Sequence, residues 1–221
     1  MSMIRHHATI ETLAAYSSGN LDEARSVVVG THLDRCAKCR ETVADFDAIG
    51  GACLDEIEPV AMKDDALKTF WKIADHTAPE EQAASLHADN DFRLEIAQPL
   101  NAYIKGGLDN VKWRPIAPGI SQCVLDANGY RNGVMRLLRI APGTGIPAHT
   151  HRGNELTLVL RGAYSDTMGT FQEGDIADLD GSHSHSPKAF GDQPCICLIA
   201  TSAPLVFNNM VGKVIQPFIG M

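Results

Sequence analysis

Residues 143–162 constrain this chain more than any other stretch. They read Gly143-Thr-Gly-Ile-Pro-Ala-His149-Thr-His151-Arg-Gly-Asn-Glu155-Leu-Thr-Leu-Val-Leu-Arg-Gly162. Residues two apart on a strand face the same side, so His149 and His151 point together. Gly153 and Asn154 turn the chain, and Glu155 adds a carboxylate from the next strand. Imidazole with carboxylate suits Zn, Fe, Mn or Ni. A further ligand must come from elsewhere in the same sheet structure. His185 fits, and His183, two residues earlier, shares its face if the segment is extended.

The surrounding pattern supports such a structure. From Lys112 onward, segments rich in Val, Ile and Leu at 121–126, 134–140, 156–161, 175–179 and 195–201 alternate with turn residues. Asn128-Gly129 and Asn132-Gly133 are strong turn dipeptides. Many short strands in the second half imply a sandwich or barrel.

The first half reads as helical. Apolar residues recur every three or four positions over 11–16, 21–32 and 37–54, and Val43, Phe46, Ala48 and Ile49 fall near one stripe. Asn20 is the expected N-cap of the second helix, with Glu23 at capping-box spacing. A fourth helix over 65–75 places Leu67, Phe70, Trp71 and Ala74 on one face. Between 77 and 91, Pro79 and many polar residues break the periodicity. The expected organisation is α+β in two domains: a helical unit at 1–85, a linker at 86–98 and a strand-built unit at 99–221.

A second ligand pattern lies in the helical unit: His32-Leu-Asp-Arg-Cys36-Ala-Lys-Cys39. Two thiolates at Cys-x-x-Cys spacing grip one ion as the chain enters a helix, and His32 reaches it across the turn. A closed tetrahedral site needs one more ligand, and upstream only His6 and His7 are available. A redox Cys-x-x-Cys pair belongs in a βαβ setting, which is absent. A helical unit this small gains stability from a structural metal, so zinc is the expected ion.

Charge and length narrow the partners. Net charge is −8, and residues 1–58 hold ten acidic against five basic side chains. A direct nucleic-acid partner is excluded on those grounds, whereas an acidic helical unit suits a basic protein surface. No apolar run approaches membrane-spanning length and no secretory signal is visible, so a cytoplasmic location is expected, with no membrane partner. There the six cysteines favour metal or redox chemistry over structural disulfides.

Two resemblances join these patterns. Gly143, His149, His151, Glu155 and Gly162 fill the first cupin motif. His185 takes the histidine position of the second motif, which starts at Gly174 and departs at Asp180, Ser182 and Ala189. The implied unit is a cupin (double-stranded β-helix, or jelly-roll) barrel. Its ligands would be His149, His151, Glu155 and His185, holding one divalent metal with zinc the first choice. The His-x-x-x-Cys-x-x-Cys segment resembles the zinc-containing anti-sigma domain.

The opening Ile4-Arg5-His6-His7 and the tail Gln216-Pro217-Phe218 resemble ChrR-type anti-sigma factors over nearly the whole chain. That resemblance implies a zinc site of His7, His32, Cys36 and Cys39. It also implies a partner, an extracytoplasmic-function sigma factor, released on singlet-oxygen or organic-peroxide stress. Phe46, Leu67, Phe70 and Trp71 are then candidate anchors for that partner, or else the closure of the helical core. Cys195 and Cys197 face one side of a strand and are candidate redox residues, with core packing as the alternative. A different class of function, a cupin metalloenzyme of dioxygenase or isomerase type, would use the helical unit for assembly only.

Overall fold

The computed structural model describes residues 3–77, 98–104, 106–125, 134–151, 153–202 and 205–207. The helices are α1 (Ile10–Ser17), α2 (Glu23–Leu33), α3 (Ala37–Asp55), α4 (Ala66–Thr77) and the short α5 (Gln98–Asn101). Strands follow as β1 (Arg114–Ala117), β2 (Ile120–Leu125), β3 (Val134–Ile140), β4 (His149–His151), β5 (Glu155–Arg161) and β6 (Ala163–Asp166). They continue as β7 (Gly169–Gln172), β8 (Ile176–Leu179), β9 (Lys188–Phe190), β10 (Cys195–Thr201) and β11 (Leu205–Phe207). The expected helices and the five long strand segments are present, with ends moved by a residue or two. Pro115 in β1 is tolerated because that strand lies at a sheet edge. The Asn-Gly turns at 128 and 132, and nearly all of the expected linker, lie outside the described residues.

One expected cap is corrected. Asp22, not Asn20, caps α2, its carboxylate accepting from the Arg25 amide at 2.9 Å. Asn20 instead bonds the Ser18 hydroxyl just beyond α1, and Glu23 becomes the first helical residue. A carboxylate at the positive helix end outcompetes an amide two residues earlier.

The barrel is built from a six-stranded antiparallel sheet, β1-β2-β3-β10-β5-β8, facing a three-stranded sheet, β7-β6-β9, with β11 and β4 paired beside them. Along β5 and β10 alternate residues divide cleanly. Val159, Cys195, Cys197 and Ile199 pack inside the barrel, while Leu156, Leu158, Ile196 and Leu198 belong to a second cluster outside it. That outer cluster includes Val27, Val28, Val29 and Leu33 of α2 and Leu100 of α5. Both faces of the sheet are therefore covered along these two strands, which is why residues 158–160 and 195–200 are apolar without a break.

Helix α2 is the shared element. Most of its residues are buried, from Ala24 to Leu33, as expected of a helix enclosed on all sides. Residues 99–104, assigned from sequence to the strand-built unit, pack on α2: Pro99 lies against Gly30, and the Tyr103 hydroxyl bonds Glu23. The helical and strand-built halves thus share one apolar core. Among the described residues no helix is long and apolar enough to cross a membrane.

Gly162, which closes the segment carrying the histidines, has φ +76°, and a Cβ there would stand 2.7 Å from the Pro194 carbonyl oxygen. Gly162→Ala is expected to cost about 2–4 kcal/mol, strain and overpacking combined, measured by urea unfolding.

Candidate metal centres

In the barrel, a backbone bridge sets two histidines opposite each other. The His149 amide donates to the His185 carbonyl at 3.1 Å, and the reverse bond is 3.2 Å. Their Nε2 atoms lie 3.0 Å apart, and His151 Nε2 stands 3.2 Å from that of His185. All three side chains are buried. His149 donates its Nδ1 proton to the Pro147 carbonyl (2.8 Å), and His185 donates its own to Asp166 Oδ2 (3.0 Å). Both Nε2 atoms then carry lone pairs that face each other.

Such an arrangement is repulsive until a cation enters. Ligand atoms about 2.0–2.3 Å from one ion lie about 2.9–3.8 Å apart at octahedral or tetrahedral angles, and the observed separations fall in that range. Burial lowers His149 to about 4 and His151 to about 3, so both are neutral and free to ligate at neutral pH. The donor set fits a divalent ion.

Glu155 stands beside this cluster but not within it: the atoms that converge within 4.8 Å are those of His149, His151 and His185. Its Oε2 is 3.3 Å from His151 Nδ1, in ion-pair range but without hydrogen-bond geometry, and Oε1 accepts from the Thr157 hydroxyl at 3.1 Å. Burial raises its carboxyl above the usual range. His183 is half-exposed and pairs with Asp180 at 2.8 Å, away from the cluster. Asp166, which orients His185, drew no attention in the sequence. Its only signal is its place two residues after Tyr164 on one strand face.

The second cluster joins His7, His32, Cys36 and Cys39. His7 Nδ1 lies 3.2 Å from Cys36 Sγ and 3.6 Å from Cys39 Sγ, and His32 Nε2 lies 3.3 Å from Cys39 Sγ. Cys36 caps α3, so both sulfurs sit at a helix N-terminus. Burial, then the Cys36 thiol, push Cys39 up to about 12, and burial lowers His32 to about 4. A bound dication would favour the thiolates. Two histidines and two thiols at these spacings fit a closed tetrahedral site.

His6, the alternative to His7, turns away. Its ring stands 4.1 Å from that of Phe171, and its Nε2 donates to the Thr170 carbonyl at 3.1 Å. The barrel grips the whole segment. Asp175 Oδ1 accepts from the Arg5 and His6 amides at 2.7 and 3.0 Å, and Asp178 accepts from the Thr9 amide and hydroxyl. His32 Nδ1 donates to the Gly174 carbonyl at 2.9 Å. Gly174, at φ +91°, has Ile4 packed where a Cβ would stand. Sequence reading missed this turn as a partner of the helical cluster, because its contacts span some 140–170 residues.

Of the remaining candidates, Cys195 and Cys197 are buried with sulfurs 3.6 Å apart. Phe46 is partly buried against the core, whereas Leu67, Phe70 and Trp71 stand 57–58% exposed on α4.

Comparison with known proteins places the chain. Residues 104–204 match the family model described as the ChrR Cupin-like domain. The anti-sigma-E factor ChrR of Cereibacter sphaeroides is 40% identical, over 97% of this chain and 98% of its own length. The crystal structure of Rhodobacter sphaeroides SigE in complex with the anti-sigma ChrR holds a chain that superposes with a TM-score of 0.75. That match is 38% identical and covers 90% of this chain and 99% of the other.

The depressed histidines set a pH dependence. Between pH 6.5 and about 4 the unfolded chain binds protons at His32 and His149 that the folded chain refuses. Metal-stripped protein should therefore lose stability steadily as pH falls through that window, checked by thermal unfolding at pH 7.5, 6 and 5.

Proposed function

We infer the role of this chain from its kin: it belongs to the ChrR family of anti-sigma factors. Its work is capture of a sigma factor, not catalysis, and the partner is of the extracytoplasmic-function class. The observation that carries this reading is the near-complete overlap with a chain crystallised on SigE. The apolar face of α4 supports it. Leu67, Phe70 and Trp71 lie exposed with the two rings 5.1 Å apart, a poor arrangement in water and a good anchor in an interface. The acidic balance of the helical half suits the basic surfaces by which sigma factors meet DNA and polymerase. Such a partner works in the cytoplasm.

Zinc is the ion proposed for His7, His32, Cys36 and Cys39, on donor chemistry. For the barrel the proposed ligands are His149, His151 and His185, with Glu155 as fourth donor. A fully buried carboxylate among neutral imidazoles is costly unless a cation offsets it. Zinc remains the first choice there.

The proposed signal is oxidative, singlet oxygen or an organic peroxide, received in the barrel, with the buried thiols Cys195 and Cys197 as candidate redox residues. Because Gly174 and Asp175 hold both the His32 ring and the segment that carries His7, a barrel rearrangement would reach the helical centre directly. A coupling of about 1–3 kcal/mol suffices to shift sigma affinity about 5–150-fold.

Co-expression with a sigma factor of this class, followed by co-purification, tests the reading, and failure of the full chain to retain it would sink the proposal. Phe70→Glu/Trp71→Glu should weaken capture at least about 100-fold with unfolding temperature little changed, because both side chains are exposed. Elemental analysis should give two metal ions per chain, and Cys36→Ser/Cys39→Ser should lose one.

A further inference from the structure

Among the described residues of the barrel interior, one tyrosine has a hydroxyl that neither metal centre uses. Tyr164 lies on β6 with 2% of its surface exposed, and its hydroxyl has no hydrogen-bond partner among the described residues. A buried, unpaired hydroxyl costs about 1–3 kcal/mol. It is not stranded in a solid core, however. Tyr164 lines the pocket that His149, Glu155 and His185 also line. Asp166, two residues along the same strand face, reaches His185 Nδ1 at 3.0 Å, so this face of β6 addresses the histidine cluster twice.

The rest of the pocket is chiefly apolar, with Leu138, Ile140, Ile146 and Ile199 on its walls. The cavity measures about 40 Å³. At about 10–15 Å³ per water that is room for about three or four small atoms. The wall thus combines candidate metal donors with the unpaired Tyr164 hydroxyl, while the other lining hydroxyl, on Thr157, is already bonded to Glu155.

We propose that this pocket binds a small oxygen-donor ligand, of formate or peroxide size, on the barrel ion, with the Tyr164 hydroxyl as its hydrogen-bond donor. The inference rests on the barrel ligand set proposed above. The ion takes one end of the ligand, the phenol satisfies another oxygen, and the apolar walls exclude anything larger or more hydrated. Tyr164 is a positioning residue here. Its ring stacks on Phe171 at 4.9 Å and 14°, so the phenol is held in place from outside the pocket. Removing the hydroxyl alone leaves that stack intact.

The test uses the full-length, zinc-loaded chain and two probes. Formate is titrated by calorimetry, and azide is followed by its infrared stretch, which reports both metal ligation and hydrogen bonding. Wild type should bind both. Tyr164→Phe should bind formate about tenfold or more weakly and shift the azide band, with metal content unchanged. Phe171→Leu, which removes the stack but keeps the hydroxyl, should bind formate more strongly than Tyr164→Phe does. His149→Ala/His151→Ala should bind neither probe. Failure of wild type to bind either probe overturns the inference, as does a Tyr164→Phe affinity within twofold of wild type. Binding that survives loss of both histidines overturns it too. Sigma capture is measured alongside on every variant. A wild-type chain that binds formate but captures no sigma factor contradicts the anti-sigma role and leaves the ligand site standing.

Discussion

Asp175 is the residue on which the two halves of this molecule depend. It is almost fully buried, and its carboxylate accepts from three backbone amides, those of Arg5, His6 and Gln172. Bonds from N–H groups to a buried carboxylate are stronger than neutral ones, and losing the acceptor would remove all three at once. The amino-terminal segment it holds carries His7. The carbonyl before it, on Gly174, fixes the His32 ring so that Nε2 faces the cysteines. Two of the four candidate ligands of the helical centre are thus oriented by a turn of the barrel, as outer partners commonly orient metal-bound histidines.

The apolar packing repeats this arrangement on a larger scale. Along β5 and β10 the six-stranded sheet is covered twice: its inner side fills the barrel and its outer side receives α2 and α5. A helical unit this small would have a thin core by itself. Sharing α2 with the sheet removes that problem and joins the stability of the two halves. A regulator gains from this. Whatever loosens the barrel also disturbs the helix that carries His32, whereas Ile49 and Leu54 of α3 and Leu67, Phe70, Trp71 and Ile73 of α4 stand exposed.

Both centres use burial to keep imidazoles neutral. His32, His149 and His151 lie well below the ordinary histidine range because desolvation disfavours their charged form. The same burial raises Glu155 and Cys39, which are better ligands when ionised. Each cluster therefore reads as a site completed by a cation: histidines ready to donate, and acids whose ionisation the ion would favour.

Much of this was legible in the chain itself, because the relevant physics is local. Strand alternation put His149 and His151 on one side, Cys-x-x-Cys spacing joined Cys36 to Cys39, and helical periodicity put Leu67, Phe70 and Trp71 on one face. The matching of His7 and His185 to their clusters came from motif resemblance, since spacing alone left His6 and His183 open. What required the tertiary structure was contact between distant segments. The Asp175 bonds to the amino-terminal segment, the Gly174 bond to His32, the Asp166 support of His185 and the Tyr164 wall of the pocket join residues that no periodicity connects. That α2 covers the outer face of β5 and β10 was likewise decided only by the fold. Local patterns follow from backbone geometry within a few residues, whereas these partners are chosen by how whole elements pack.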